Sequence, residues 1–591
     1  MVSLQDTTKL VSEVADLDVW DDHTQLFSRF PSRRSVVYSK KGIIASAHPL
    51  AAQAGLEVLK AGGNAVDAAV ATAAALGVVE PVSTGVGGDM FMLYWSEQHG
   101  RVFALNGSGR SPQALTLSKC QDMGFTGKTM PHQNINSATV PGQVDGWVDA
   151  LAAHGSGKVS MAQILRPAIG LCEDGFPVSE ITARQWVEAE HLLQTASPSG
   201  GELLKDGKAP RTGQIFKNPY LGRVLTEISE KGRAGFYEGW VAESVVEVVT
   251  RLGGVMTLED LKNNTSTEEE PMAFSYKDCT LWECPPNGQG IIALEALGVV
   301  DALERNAKIP GLAELGHNSL EYTHTIIEAL RYAFSDAYDR ISDPSTEVLP
   351  ISELLSPSHL SEVVANFQMG TADRTVRNGF PTKTSDTVYF ATSDSEGNVC
   401  SFIASNASNF GCGVVPQGCG FPLQNRGSHF LLREGHPNSL KPNKRPYHTI
   451  MPAMVTKSGK IEMAYGVMGG FMQPQGHLQV LLNTSVFGYH PQDALDAPRA
   501  CIVPVRASPA FATTENHAEI ARDSVVFLEE GFPEEVVEGL RKAGHEVELV
   551  KDWRRAMFGR GQIIRVCRDP NGERVYWAGS DQRGDGHAAP W

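Results

Sequence analysis

The sequence predicts a mixed α+β fold, and three observations lead there. A helix pattern made almost wholly of Ala and Val runs to Val79 and gives way to a strand pattern, Met90-Phe91-Met92-Leu93-Tyr94-Trp95. Residues 140–380 carry mainly helical patterns, and from Thr387 strands dominate before mixed patterning returns. A helix that is apolar all round is a buried one, so the Ala/Val helix is expected inside the molecule.

The elements follow in order. Residues 1–38 read as a poorly ordered leader. Gly42-Ile43-Ile44-Ala45-Ser46 is a short strand, and a helix from Leu50 to Leu59 is stopped by Ala61-Gly62-Gly63. Asn64 caps the Ala/Val helix, and Pro81 to Asp89, with Gly85, Gly87 and Gly88, leads into the Met90 strand. Helical patterns cover 161–173, 242–252 and 317–340, the last carrying Arg331, Tyr332, Asp336 and Arg340, mostly at spacings that suit a structural ion network. Residues 366–386 form the most loop-like stretch, where an exposed connector can be cut.

Size and composition bound the function. At 591 residues and 63.8 kDa the chain allows two to four domains, although a large layered fold can be one unit. The formal charge of −17 argues against a nucleic-acid surface, which needs clustered Lys and Arg. Met1–Ser35 lacks an apolar core after a basic start, and no run reaches about 18 apolar residues. Neither a secretory signal nor a membrane partner is expected, and the location expected is cytoplasmic. The nine cysteines are odd in number and scattered, which suits reduced thiols. Cys412 and Cys419 lie close but lack partner pairs at zinc spacing, so no metal and no cofactor is expected.

Thr387 is the candidate centre of the chemistry. It opens the strand Thr387–Ala391, a Glu396-Gly397-Asn398 turn follows, and Val399–Ser405 runs back. With the preceding peptide bond intact, such a residue is an ordinary strand-opening β-branched residue. With the bond cut, it gains an α-amino group of pKa about 7.7–8.0 beside its hydroxyl. That amine can take the hydroxyl proton and make Thr387 a nucleophile.

A series of short runs carries a resemblance over about residues 40–588. They are Ala61–Ala68, Glu80-Pro81 with Gly87-Gly88, Val140-Pro141-Gly142, Asp386-Thr387, Phe410–Val414, Lys444-Arg445-Pro446, Gly469-Gly470, and Phe558-Gly559-Arg560 with Gly579–Gly586. In this the chain resembles the γ-glutamyltransferase (γ-glutamyltranspeptidase, glutathione hydrolase) family of N-terminal-nucleophile hydrolases. The resemblance implies a four-layer αββα sandwich built from two pieces of one precursor, cut between Asp386 and Thr387. Residues 39–386 would belong to the large subunit and 387–591 form the small, catalytic one. It further implies an acyl-enzyme on Thr387, passed to water or an amine acceptor. Gly469 and Gly470 would be the oxyanion-hole pair, Ser405 the hydroxyl that bonds the nucleophile, and Asn425 a substrate donor.

The chain departs from the glutamyl pattern where that family reads the substrate's α-amino and α-carboxylate groups. His429 stands where the amine-binding Asp belongs, Arg426 adds a cation, His448-Thr449 replaces a Ser pair, and Arg110 lies two positions late. A buried ammonium without a carboxylate partner is costly, so Arg426, His429 and Arg110 favour a carboxylate. This resembles the branch that includes oxamate amidohydrolase and is related to cephalosporin acylases. The expected partner is therefore a small-molecule amide, either γ-glutamyl or a non-glutamyl acid amide. Structural readings stand beside this one: His429 as a satisfied core histidine, Arg426 paired with an acid such as Glu328 or Asp336, and the whole chain as an uncut binding or scaffold homologue.

Overall fold

The computed structural model describes residues 34–337, 340–373, 376, 387–504 and 524–591. Residues 1–33 of the expected leader, most of the 374–386 connector and Asp386 itself lie outside them. Arg34 donates to the carbonyls of Ser580, Asp581 and Gly584, and Val37–Ser39 already forms a strand.

In chain order the strands are β1 (Val37–Ser39), β2 (Ile43–Ser46), β3 (Asp89–Ser96), β4 (Arg101–Gly107), β5 (Phe176–Pro177) and β6 (Ile215–Phe216). Next come β7 (Thr267–Glu269), β8 (Met272–Tyr276), β9 (Cys279–Glu283), β10 (Val388–Ser393), β11 (Val399–Ser405), β12 (Ala453–Lys457) and β13 (Lys460–Met468). The rest are β14 (Ala500–Pro504), β15 (Ser524–Glu529), β16 (Glu546–Val550), β17 (Arg560–Arg568), β18 (Arg574–Ser580) and β19 (His587–Pro590). The helices used below are α1 (Pro49–Lys60), α2 (Ala65–Val79), α3 (Gly290–Arg305), α4 (Leu320–Ala337), α5 (Pro357–Val363) and α6 (Met472–Ser485).

Two seven-stranded sheets dominate. One has the order β1-β18-β17-β13-β12-β9-β8, the other β19-β2-β10-β11-β3-β4-β7. Side chains alternate across each strand, and the alternation separates three cores. Phe91, Leu93 and Trp95 of β3 meet Met454, Ala464 and Ile564 of the facing sheet between the two sheets. Met90, Met92 and Tyr94 point the other way, against α2. On the far side, Val455, Met463 and Tyr465 pack against α3, α4 and α6. The result is helix, sheet, sheet, helix: the four-layer sandwich.

Local chemistry places the helices. Asn64 Oδ1 accepts from the N–H groups of Val66 and Asp67 at 3.0 and 3.1 Å, and Asp67 answers by accepting from Asn64 N at 2.9 Å. This reciprocal cap starts α2 at the residue its sequence marks. All fifteen residues of α2 are buried, as its Ala/Val composition requires.

One expectation needs correction. The helical reading of 140–380 overlooks β5–β9, of which β8 and β9 form the outer hairpin of the first sheet. Their turn is Lys277-Asp278, with Lys277 at φ 52°. Two charged residues stand where hairpin turns usually carry Asn or Gly, which hides the hairpin in the sequence. All nine cysteines are free thiols, eight of them buried. Among the described residues, no helix is long and apolar enough to cross a membrane.

Candidate active site

Three strands bring the site together at one end of the second sheet. In the register, Val388 faces Ala404 and Ser405 faces Asp89. Thr387, at the threshold of β10, therefore sits beside the last residue of β11, which sits beside the first of β3. Thr387 and Ser405 are both fully buried, and Thr387 Oγ1 donates to Ser405 Oγ at 3.3 Å. Gly88 precedes Asp89 because a Cβ there would lie 2.5 Å from the Ser405 carbonyl oxygen.

Ser405 Oγ is a junction. It also accepts from Ala407 N at 2.8 Å and from Arg426 Nη2 at 3.1 Å. Arg426 begins a short 3₁₀ turn, Arg426–His429, in the long connection after β11. Its guanidinium is 0 % exposed, donates through Nη1 to Thr449 Oγ1 at 2.8 Å, and leaves Nε without a hydrogen-bond partner. Neither Glu328 nor Asp336 pairs with it: Glu328 holds Arg331, and Asp336 holds Arg340. That corrects one structural reading of Arg426, while Arg331, Asp336 and Arg340 do form ion pairs. Burial lowers the Arg426 pKa to about 10, against the pull of Asp89, so it stays cationic at neutral pH.

Asp89 is the acid the sequence reasoning passed over. Its Oδ1 accepts from the N–H groups of Gly109 and Gly142, and its Oδ2 accepts from Gln424 Nε2 at 3.3 Å and His448 Nε2 at 3.1 Å. Burial raises its carboxyl to about 6, opposed by Arg426 and the backbone donors. The signal was present: a Gly-Gly-Asp run opening an otherwise apolar strand places a carboxylate at a buried edge.

The two histidines carry no charge. Burial, with Arg426 beside them, holds both well below the ordinary imidazole value. His429 Nδ1 donates to the Tyr447 carbonyl at 3.2 Å. His448 Nδ1 accepts from Ile450 N at 3.4 Å, which leaves Nε2–H to face Asp89. The positive charge at this site thus rests on Arg426.

Gly469 and Gly470 lie between β13 and α6 at φ 128° and 57°, a left-handed pair that favours glycine. Gln289, also absent from the sequence reading, joins them to the cluster. Its side-chain amide donates to the carbonyls of both Thr449 and Gly470, and Tyr447 Oη donates to its Oε1 at 2.8 Å. Asn425 is occupied by backbone, accepting from Ser408 N and donating to the His132 carbonyl at 2.9 Å. Arg110 stands apart. Its Nη1 lies 3.4 Å from Asp343 Oδ2, and it lines a cavity of about 490 Å³ whose walls include neither Thr387 nor Arg426.

The Thr387 hydroxyl and the Arg426 guanidinium thus meet at Ser405, and Gln289 links Thr449 to the Gly470 carbonyl; a hydroxyl beside a buried cation is an arrangement that acyl transfer can use. Comparison with known proteins agrees in kind. The family profile described as Gamma-glutamyltranspeptidase matches residues 51–591. The Glutathione hydrolase-like YwrD proenzyme of Bacillus subtilis is 36% identical over 560 residues, covering 94% of this chain and 99% of that protein. The Oxamate amidohydrolase proenzyme of Klebsiella pneumoniae is 32% identical over 93% of this chain and 98% of its own. Among solved structures, the cephalosporin acylase from Bacillus halodurans superposes with a TM-score of 0.82 at 38% identity, over 95% of this chain and 98% of that one.

Proposed function

The chain belongs to the γ-glutamyltranspeptidase family of amidohydrolases, and from that premise we propose that it is a precursor that cuts itself between Asp386 and Thr387. The freed Thr387 then hydrolyses a small carboxylate-bearing amide. Cleavage creates the α-amino group that takes the Thr387 hydroxyl proton. Oγ1 attacks the amide carbonyl, the amine leaves with a proton, and water or an amine acceptor takes the acyl group from Thr387. Gly469 and Gly470 are the proposed oxyanion donors, and Ser405 orients Oγ1 through the 3.3 Å hydrogen bond.

The observation that carries the substrate class is Arg426. A buried guanidinium, hydrogen-bonded through its side chain, among the described residues, only to hydroxyls and with a spare Nε–H, supports an anionic substrate group near Thr387. It opposes an ammonium there. A non-glutamyl acid amide, of the oxamate or acylase kind, is therefore the first reading. In it, His429, His448, Thr449 and Asn425 shape the pocket, while Arg110, facing Asp343 and lining a separate cavity, takes no direct part. A γ-glutamyl substrate is the second, favoured by the relative named glutathione hydrolase-like.

The processed protein separates the two. Turnover of oxamate or of a glutaryl amide, with none of γ-glutamyl-p-nitroanilide in the presence of glycylglycine, is the expected result. Efficient γ-glutamyl turnover with no acid-amide activity would overturn the first reading in favour of the second.

A further inference from the structure

A second cluster of side chains lies in the outer helical layer and, among the described residues, shares no hydrogen bond with the network around Thr387. Helices α3, α4 and α5 bring Glu295, Asp336 and His359 together so that their ligand atoms all lie within 4.8 Å of one another. Glu295 is fully buried, and among the described residues its carboxyl oxygens meet no donor group and face the Asp336 carboxyl. Burial and that like charge push Glu295 toward holding a proton. Buried polar groups are almost always satisfied, so a carboxyl in that position is missing something. Asp336 points at the same space: Arg340 Nη2 holds its Oδ1 at 3.1 Å, and its Oδ2 contacts His359 Nε2.

We propose that Glu295, Asp336 and His359 form a divalent-cation site, suited to zinc, that fastens α3, α4 and α5 together. One imidazole nitrogen with two carboxylate oxygens is a zinc-type donor set, whereas magnesium favours oxygen ligands and bound water. The two carboxylates offset the charge of the ion, and Arg340 fixes the orientation of Asp336 from its other oxygen. Tetrahedral zinc at about 2.0–2.2 Å from each ligand separates those ligands by roughly 3.3–3.6 Å. To admit the ion, the direct Asp336–His359 contact must open to that spacing while the third ligand atom stays within the 4.8 Å reach of the set. His359 keeps 16% of its side chain exposed, which gives an ion a way in. Zinc spacing in sequence gives no hint of the site, because its ligands come from three separate helices.

The test uses the full-length protein, stripped with a chelator and dialysed against ZnCl₂ or, in parallel, MgCl₂. Bound metal is counted by mass spectrometry and Tm measured with and without it. One zinc per chain and a raised Tm are expected, with magnesium binding far weaker. Glu295→Gln, which keeps the side-chain shape, and His359→Gln, at a partly exposed position, should each weaken zinc binding about tenfold or more. Each should also remove the Tm rise while leaving amidase turnover unchanged. No stoichiometric zinc on the wild type would overturn the site and leave Glu295 as a carboxyl that carries a proton. Equal zinc binding by both variants would place the ion elsewhere and overturn it as well.

Discussion

At the scale of the residue, Arg426 decides the specificity. It is buried, cationic, and bonded to Ser405 and Thr449 rather than to a carboxylate. Replacing it with Ala is expected to raise KM for an acid amide about tenfold or more, roughly 1.5–3 kcal/mol of a charged contact. Steady-state kinetics on the processed variant checks this, and an unchanged KM would make Arg426 structural. Arg426 was legible in the sequence because it interrupts the Asn-rich turn of a resembling family. Gln289 was not, and for Asp89 the Gly-Gly-Asp run marks a buried carboxylate but not what it does. Each acts through a partner distant in sequence, Asp89 on His448 and Gln289 on Gly470, and periodicity carries no information about such pairs. The neutrality of His429 and His448 was equally hidden, since it follows from burial beside Arg426.

At the scale of the element, the site depends on how closely β3 and β11 approach. A Cβ on Gly88 would lie 2.5 Å from the Ser405 carbonyl oxygen and 2.7 Å from Asn406 Oδ1. Gly88→Ala should therefore push the end of β11 away, disturb the Ser405–Thr387 hydrogen bond and lower kcat. The overpacking should also cost stability of about 1–3 kcal/mol, readable as a lower denaturation midpoint. Full turnover and an unshifted midpoint would mean the strands tolerate the spread. The long periodic elements were legible: the Asn64 cap and the apolar run predict α2 (Ala65–Val79), and the strand runs at Met90, Thr387 and Val399 match β3, β10 and β11. The β8–β9 hairpin escaped because its turn is Lys277-Asp278, and the helix expected over 242–252 in fact spans Gly239–Arg251.

At the scale of the whole molecule, buried ion pairs tie the C-terminal tail to the separate three-stranded sheet β14-β15-β16, through Arg499 just before β14 and Glu529 at the end of β15. Arg499 and Arg583 both hold Asp581, and Arg583 also pairs with Glu529. Burial pushes the Asp581 carboxyl up, but the two guanidinium groups and backbone donors overcome it and hold the pKa at about 2. A depressed carboxyl contributes stability above its unfolded value of about 3.9. That contribution is lost as pH falls toward 2. Asp581→Asn should destabilise the protein by about 3–5 kcal/mol at neutral pH by leaving buried cations under-compensated. It should also flatten the pH 4 to 2 part of the stability profile; denaturant melts across pH test both. The layered fold was legible only through resemblance, because no local pattern states that two sheets stack. The central claim is likewise a property of the whole chain: that it becomes active by cutting itself before Thr387. N-terminal sequencing with intact mass, run on the wild type beside Thr387→Ala and Thr387→Ser, tests it most directly. The account predicts two wild-type pieces, the smaller beginning Thr-Val-Tyr-Phe, a single inactive chain for the Ala variant, and partial cleavage and turnover for Ser. An active protein that remains one chain of 63.8 kDa, or an Ala variant that still cleaves, would contradict it.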